Sequence, residues 1–380
     1  MVSGWIGVEV TGSANELGLV IFLYGVPNVA FLLVAGIVAD RFDRRHVLML
    51  TQTGVGFLVA TLGILELFDA VAIWNIYIAA FVLGIVQSLN MPARTTMVSD
   101  IVAKASILDA VAMQNAAVHA GRMIGPPVLG LVIELWGIGT SLFVIAGCYI
   151  VSMACIGRIG ETNQINRAAE GSVFKNFHDG FAYIRSNRIV LTAIVITCSF
   201  GGFGMSHQQV IPAMAKDVLG TGAAGVGLLF LASGIGSFLG NILLPIIGNV
   251  RIYRSLLINL VLFSILLSLF SWSSWFWFSW FLFLLVGLFG LGSVWPLATS
   301  LVQVESPVEM KGRVMGILQF TPGFHFLGAY PLTLLAGQFG WEAAITVAAG
   351  ATLLATVWFG VVRKGAPEID IQTPREQASN

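Results

Sequence analysis

A multi-span, all-α membrane protein is the fold class this sequence predicts, and three observations predict it. Hydrophobic residues make up 57% of the 380 positions and charged residues only 10%, with a mean hydropathy of +0.89, a composition for which water is not the main solvent. Apolar runs of bilayer length recur along the whole chain, and nearly all Lys and Arg residues fall in every second connection between them. Because a helix needs about 20 residues to cross about 30 Å of hydrocarbon, the chain has room for roughly a dozen crossings and no sizeable soluble domain beside them.

The runs predict helices at 17–38, 46–67, 71–92, 107–135, 138–159, 189–215, 223–248, 255–272, 275–300, 313–338 and 342–362, which is eleven complete spans. The stretch from Gly4 to Thr11 is apolar but only about half of bilayer length, and it runs into the turn-like Thr11-Gly12-Ser13. It reads as the outer end of a truncated first helix, with the expectation that the natural product begins upstream of Met1 or that this chain is a fragment. Of the 19 Lys and Arg residues, 17 sort to one side of the predicted spans. They include Arg41, Arg44 and Arg45, then Arg94 and Lys104, Arg158 to Arg188 in the long connection, Arg251 and Arg254, Lys311 and Arg313, and the tail. Basic residues of short loops are retained in the cytoplasm, so this side and the C-terminus are expected to be cytoplasmic. The longest polar connection organises the chain into an N-terminal bundle at 1–160, a linker at 161–187 with an amphipathic stretch from Val173 to Ile184, a C-terminal bundle at 188–363 and a tail at 364–380.

Several function classes are excluded at this level. Net charge is zero, so bulk charge gives no sign of a nucleic-acid partner. Cys148, Cys155 and Cys198 sit inside apolar runs at no metal-ligand or redox spacing and read as buried thiols. No nucleotide cradle, metal cluster or nucleophile-base arrangement stands out, so no cofactor and no ATP-driven chemistry are expected.

The most specific motif joins one span to the next basic loop: Gly36-Ile-Val-Ala-Asp40-Arg41-Phe-Asp43-Arg44-Arg45. A small residue at Gly36 lets a neighbouring helix approach, and the Asp40 carboxylate can cap a helix or pair with a loop arginine. A plain positive-inside turn would explain the arginines but not the glycine and aspartate at these offsets. The run resembles the G-x-x-x-D-R-x-x-R-R signature of major facilitator transporters. Its counterpart in the second half, Gly248-Asn249-Val-Arg251-Ile-Tyr-Arg254, has lost the acid. A second motif, Gly121-Arg122-Met-Ile-Gly125-Pro126-Pro127-Val-Leu-Gly130, resembles the glycine-proline motif of facilitator-type drug/proton exporters. Glycines four apart permit close helix packing and prolines bend a span, so a generic packing kink competes with the exporter reading. Together with Met91-Pro92-Ala93-Arg94, Phe177-His-Asp179-Gly180-Phe-Ala-Tyr183-Ile-Arg185 and Lys311-Gly312-Arg313-Val-Met315-Gly316, these stretches look like the enterobactin-exporter and macrolide-efflux branch of the superfamily.

That resemblance implies a major facilitator fold of two six-helix bundles, the first lacking part of a helix, in a bacterial inner membrane. It implies a monomeric secondary transporter that exports a siderophore, macrolide or other amphiphile against protons, by rocking of the halves about a site near the midplane. Uptake or lipid flipping by the same fold is the alternative within transport; a sensor that does not transport, or a membrane enzyme on the same scaffold, is the alternative from another class. Asp40 with Gly36, Arg41, Arg44 and Arg45 is implied as the conformational switch, and Gly121, Gly125, Pro126 and Gly130 as the antiporter-like segment.

Polar residues inside the spans supply the cavity candidates. Arg122 is the one basic residue deep in a span, and a charge in lipid costs at least about 3 kcal/mol unless it meets water, a partner or a cavity. Asn115, His119 and Arg122 share a helical face, which is expected to line the central cavity, with a ligand-free polar network as the alternative. An imidazole is the side chain suited to titrate near physiological pH, so His119 is expected as a proton-linked group, with its charged form disfavoured by the guanidinium three residues away. In the second half, His207 and Gln208 in one span, and Ser237 and Asn241 following Ser233 in the next, suit a weakly polar lining. Trp272, Trp275, Trp277 and Trp280 cluster at a short outer hairpin and read as an interfacial belt.

Overall fold

The computed structural model describes residues 13–31, 42–102, 107–159, 173–246 and 251–362, and every regular element among them is helical. In chain order they are α1 (Ala14–Ala30), α2 (Arg44–Leu67), α3 (Ile73–Ile101), α4 (Ile107–Gly157), α5 (Val173–Ser186), α6 (Arg188–Ser199) and α7 (His207–Asp217). There follow α8 (Ala223–Ile246), α9 (Ile252–Ser271), α10 (Phe276–Phe289), α11 (Val294–Glu305), α12 (Val308–Leu318), α13 (Phe324–Phe339) and α14 (Trp341–Val357). Eight helices among the described residues are long and apolar enough to cross a membrane, not the eleven expected.

The difference has local causes. Only the 17 residues of Ala14–Ala30 represent the span expected at 17–38. The spans at 107–135 and 138–159 run together in α4, whose one non-helical residue is Gly137 at φ 82° and ψ 172°. A residue without Cβ takes that backbone cheaply, and the chain turns back there. The span at 313–338 breaks between α12 and α13 at a 3₁₀ turn, Thr321–Gly323, where the Thr321 hydroxyl donates to the Leu318 carbonyl at 2.8 Å. The sequence Thr-Pro-Gly in that turn interrupts the helical ladder, since Pro322 offers no N–H.

The described residues divide into two compact units: those up to position 159 with Ile211–Gly227, and those from position 173 to Val210 and from Leu228 onward. In the first unit α2 lies along the second half of α4, with Gly56 against Tyr149 and Gly63 against Leu142. The helices α1 and α3 meet where a methyl group on Gly84 would lie 2.2 Å from the Tyr24 carbonyl oxygen. Where α2 begins, α3 ends and α4 ends, Leu48, Ala93 and Met97 form a small core with Val47, Ile156 and Ile159.

An aromatic core holds the second unit. Phe200 and Phe263 meet edge to face at 5.0 Å, and Phe270 and Phe283 stack at 4.8 Å, geometries that add stability beyond area burial. A π-helical turn, Phe200–Gly204, separates α6 from α7 and closes with a 2.7 Å bond from the Met205 N–H to the Phe200 carbonyl. Glycine lets α13 approach it: a methyl group on Gly328 would overlap the Gly202 carbonyl. Elsewhere large apolar side chains such as Leu50, Phe57, Phe68 and Leu354 stand exposed, as a chain dissolved in hydrocarbon requires. Trp272, Trp275 and Trp277 are exposed about the α9–α10 hairpin, and Cys148 and Cys155 are exposed rather than buried.

Candidate transport site

Of the switch motif, Gly36, Asp40 and Arg41 lie outside the described residues. What remains is the start of α2. Asp43 is its N-cap, accepting from the Arg45 N–H at 2.9 Å and pairing with His46 at 2.8 Å. Partial burial works against the Asp43 carboxylate, but these hydrogen bonds outweigh it and hold the group below the ordinary carboxylate range. Arg44 opens the helix, and Arg45 reaches from it to donate to the Gly157 carbonyl at the end of α4. A guanidinium on the last carbonyls of a helix also meets the negative end of its dipole. The Arg45 Nε is buried without a hydrogen-bond partner among the described residues.

The antiporter-like segment lies within the first half of α4, where Pro126 and Pro127 are accommodated without a break. Its glycines divide. Gly121 and Gly125 have nothing within 4 Å of an added methyl group, whereas one on Gly130 would lie 2.4 Å from the Ala223 carbonyl. From the other side, Gly227 fits against Pro126 and Pro127. Glu134 completes the contact by accepting from the Ala224 N–H at 3.1 Å, satisfying one of the orphan donors at the start of α8. Gly121 and Gly125 instead border a groove of about 500 Å³ between the two halves of α4, shared with Ile124, Val144 and Cys148.

On the same helix, His119 and Arg122 are both exposed and close enough for their charges to interact. The Asn115 backbone is helical there; its side chain lies outside the described residues. Arg94, near the end of α3 and also exposed, is close enough to Arg122 for the two positive charges to repel. Neither guanidinium makes an ion pair among the described residues.

In the second unit the candidates are packed. His207 is 2% exposed; its Nδ1 bonds to the Gly204 carbonyl, and its ring lies 5.9 Å from Phe263 and 5.7 Å from Phe283. Gln208 is half-buried beside it. Ser233 and Ser237 are buried on the face of α8 that meets α10. Methyl groups on Gly236 and Gly287 would lie 1.9 Å from the Leu284 carbonyl and 2.2 Å from the Ser233 carbonyl. The Asn241 side chain donates back to the Ser237 carbonyl at 2.9 Å. This stripe of small residues is a helix seam, and its hydroxyls do not face open space.

The structure also joins two stretches whose partnership sequence reasoning missed. Asp179 on α5 pairs with Arg313 on α12 at 3.1 Å, and Gly180 packs on Arg313 and Ile317. Tyr183 donates to the Glu305 carbonyl at 3.0 Å, and Asn187 both donates to the Tyr183 hydroxyl and caps α6. The signal was present as the two motifs Phe-His-Asp-Gly and Lys-Gly-Arg, but nothing in either says that it contacts the other.

Residues 1–324 match the family profile described as Major Facilitator Superfamily. The staphyloferrin A transporter of Staphylococcus aureus is 24% identical over 95% of this chain and 90% of its own. The multidrug efflux pump Tap of Mycolicibacterium fortuitum is 24% identical over 96% and 90%. The enterobactin exporter EntS of Shigella flexneri is 23% identical over 83% and 76%. Among solved structures, the nucleoside transporter NupG superposes with a TM-score of 0.73 over 95% of this chain and 93% of its own, at 15% identity, a likeness of fold.

Proposed function

The chain belongs to the Major Facilitator Superfamily, whose members are transporters and not enzymes, and on that premise we propose that it exports a small molecule by proton antiport with alternating access. The observation that carries this reading is the agreement of relatives that align with most of the chain and are named for efflux or export, the multidrug pump and the enterobactin exporter, with macrolide efflux protein A of Streptococcus pyogenes alongside them. In this reading the bundles at 1–160 and 188–363 are the rocking halves, and Asp40 with Gly36, Arg41, Arg44 and Arg45 stabilises one of their two states. The α4 face carrying Asn115, His119 and Arg122 lines the substrate path, and Gly121, Gly125, Pro126 and Gly130 form the antiporter-like segment. The protein works as a monomer in a bacterial inner membrane, with its C-terminus in the cytoplasm.

Inverted membrane vesicles with an imposed pH gradient, acid inside, test it. Labelled erythromycin and labelled citrate are offered side by side as a cationic and an anionic probe. Gradient-dependent accumulation of either, lost on collapsing the gradient and reduced at least about tenfold per molecule of protein by Arg122→Ala, is expected. Tenfold corresponds to about 1.4 kcal/mol of barrier. Accumulation in right-side-out vesicles would mark uptake instead, and no gradient-dependent movement of either probe would refute transport by antiport.

A further inference from the structure

We propose that Glu134 is a positioning residue of the transport cycle: while charged, its carboxylate holds the outer end of α4 to the start of α8, and a proton taken up from the outer water releases that hold. This rests on the export reading above, in which the outer mouth is shut while cargo enters from the other side. The geometry starts from spacing. Pro126, Gly130 and Glu134 follow one another four residues apart on α4, which puts them on one stripe of the helix. The stripe meets Ala223–Gly227, which belong with α4 to the same compact unit. Its inner part is a contact of backbones: a methyl group on Gly130 would lie 2.4 Å from the Ala223 carbonyl oxygen, and one on Gly227 would lie 2.8 Å from the Pro126 carbonyl oxygen. At the outer end Glu134 Oε2 accepts from the Ala224 N–H at 3.1 Å. A methyl group on Gly222 would stand 3.3 Å from that same oxygen, so glycine there gives the carboxylate room to reach the backbone. The Thr221 N–H, donating to the Ala215 carbonyl at 3.1 Å, ties this connection to α7.

Glu134 is the one group on this stripe that a proton can change. No other charged residue lies on α4 between Arg122 and Gly157, and α8 has none. A carboxylate binds a backbone N–H more strongly than a neutral carboxyl does, and it also meets the positive end of the α8 dipole. Protonation removes the charge that both effects need. The sign follows: closure by this contact is fully present above the carboxylate range and is lost as pH falls through it. Glu134 is exposed and precedes the reversal of the chain at Gly137, on the side away from the basic loops, so outer water reaches it. The proton arrives from that water and returns to it, which sets this group apart from the proton exchanged for cargo. The other charged groups at this end are Glu66 on α2, whose side chain lies against Gly139, Asp69 just beyond it, and Lys216 and Asp217 closing α7. Asp69, Lys216 and Asp217 are exposed, where water screens them from the contact.

Spin-label distance measurement on the full chain in nanodiscs tests this without cargo or a gradient. Labels go on Leu131→Cys of α4 and Leu228→Cys of α8, both exposed positions, after the three native cysteines are replaced by serine. Between about pH 8 and about pH 4, a range that brackets the ordinary carboxylate, the protein with native Glu134 is expected to shift from a short to a longer distance in a one-proton transition. Glu134→Gln, which stays neutral, should show no transition and should populate the longer distance at about pH 8 at least about tenfold more. Glu66→Gln, Lys216→Gln and Asp217→Asn should keep the transition. Where Glu134→Gln is not monodisperse, Glu134→Asp carries the test: it should still titrate, with the longer distance at least about tenfold more populated at about pH 8 because the shorter side chain holds the Ala224 N–H less well. The proposal is overturned if the distance does not change with pH, if Glu134→Gln titrates as the native residue does, if one of the other three variants abolishes the transition, or if Glu134→Asp matches native Glu134 throughout. A transition at Glu134 without gradient-driven movement of either probe would count against export and leave the latch standing, whereas movement without the transition would overturn the latch alone.

Discussion

The two units use the same residue types for opposite ends. In the second, small residues at four-residue spacing on α8 close against α10, its buried histidine is enclosed by phenylalanines, and Arg313 has its carboxylate. In the first, Gly121 and Gly125 at the same spacing face a groove, His119 is exposed, and Arg94 and Arg122 make no ion pair among the described residues. A pattern of small and polar residues in a span therefore does not by itself distinguish a seam from a lining. What distinguishes them is whether a backbone lies opposite.

The largest effect expected from that contrast is at the glycines. Gly236→Ala places a methyl group 1.9 Å from the Leu284 carbonyl oxygen, a backbone atom that cannot rotate away. The α8 and α10 helices must separate, at a cost of about 1–3 kcal/mol or more. Gly121→Ala meets nothing within 4 Å, and a helical alanine should gain about 0.5–1 kcal/mol over glycine. Thermal melts of the two purified variants in the same detergent should move in opposite directions. Equal destabilisation would erase the distinction between seam and lining.

The histidines give the intermediate effect. His207→Ala removes a ring packed between Phe263 and Phe283 and leaves the Gly204 carbonyl without that partner, so a loss of about 2–5 kcal/mol is expected from the cavity and the unmet acceptor together. Export per folded molecule should be preserved, because the ring faces no open space. A His207→Ala protein with unchanged melting temperature and lost proton coupling would move His207 to the transport path.

Much of this contrast was hidden in the sequence, and the reasons are physical. The turn at Gly137 was legible because a glycine falls between two runs of bilayer length. The break at Thr321–Gly323 was not, since the apolar run from 313 to 338 continues through it and composition is blind to a missing hydrogen bond. The π-helical turn at Phe200–Gly204 was equally silent, because its extra residue leaves the apolar run intact. Arg122 announced itself by depth alone. Arg94 was assigned to a loop by charge, and only the helical continuation of α3 to Ile101 puts it near Arg122. Ser237 was legible as polar and in a span, while the carbonyl-to-glycine contact that buries it comes from another helix.

The smallest effect concerns the paired arginine. Asp179 and Arg313 are 32% and 34% exposed in their side chains and 134 positions apart in sequence, so water screens the pair and a double-mutant cycle of Asp179→Asn and Arg313→Gln should return a coupling of at most about 1 kcal/mol. Each single variant should lose little more than that, because Tyr183 and Gly180 continue to hold α5 to α11 and α12. The contrast with the first unit lies in sign. Removing Arg313 takes the nearer cation from Asp179, leaving the exposed His178 at 3.8 Å, and destabilises slightly, whereas Arg94→Gln relieves a repulsion and should leave stability unchanged or raise it. Melting temperatures of Arg313→Gln and Arg94→Gln, measured at low salt where screening is weakest, decide it. A fall for Arg94→Gln as large as that for Arg313→Gln would mean that Arg94 already has an anionic partner within the protein, and the difference between the two units would then be one of degree.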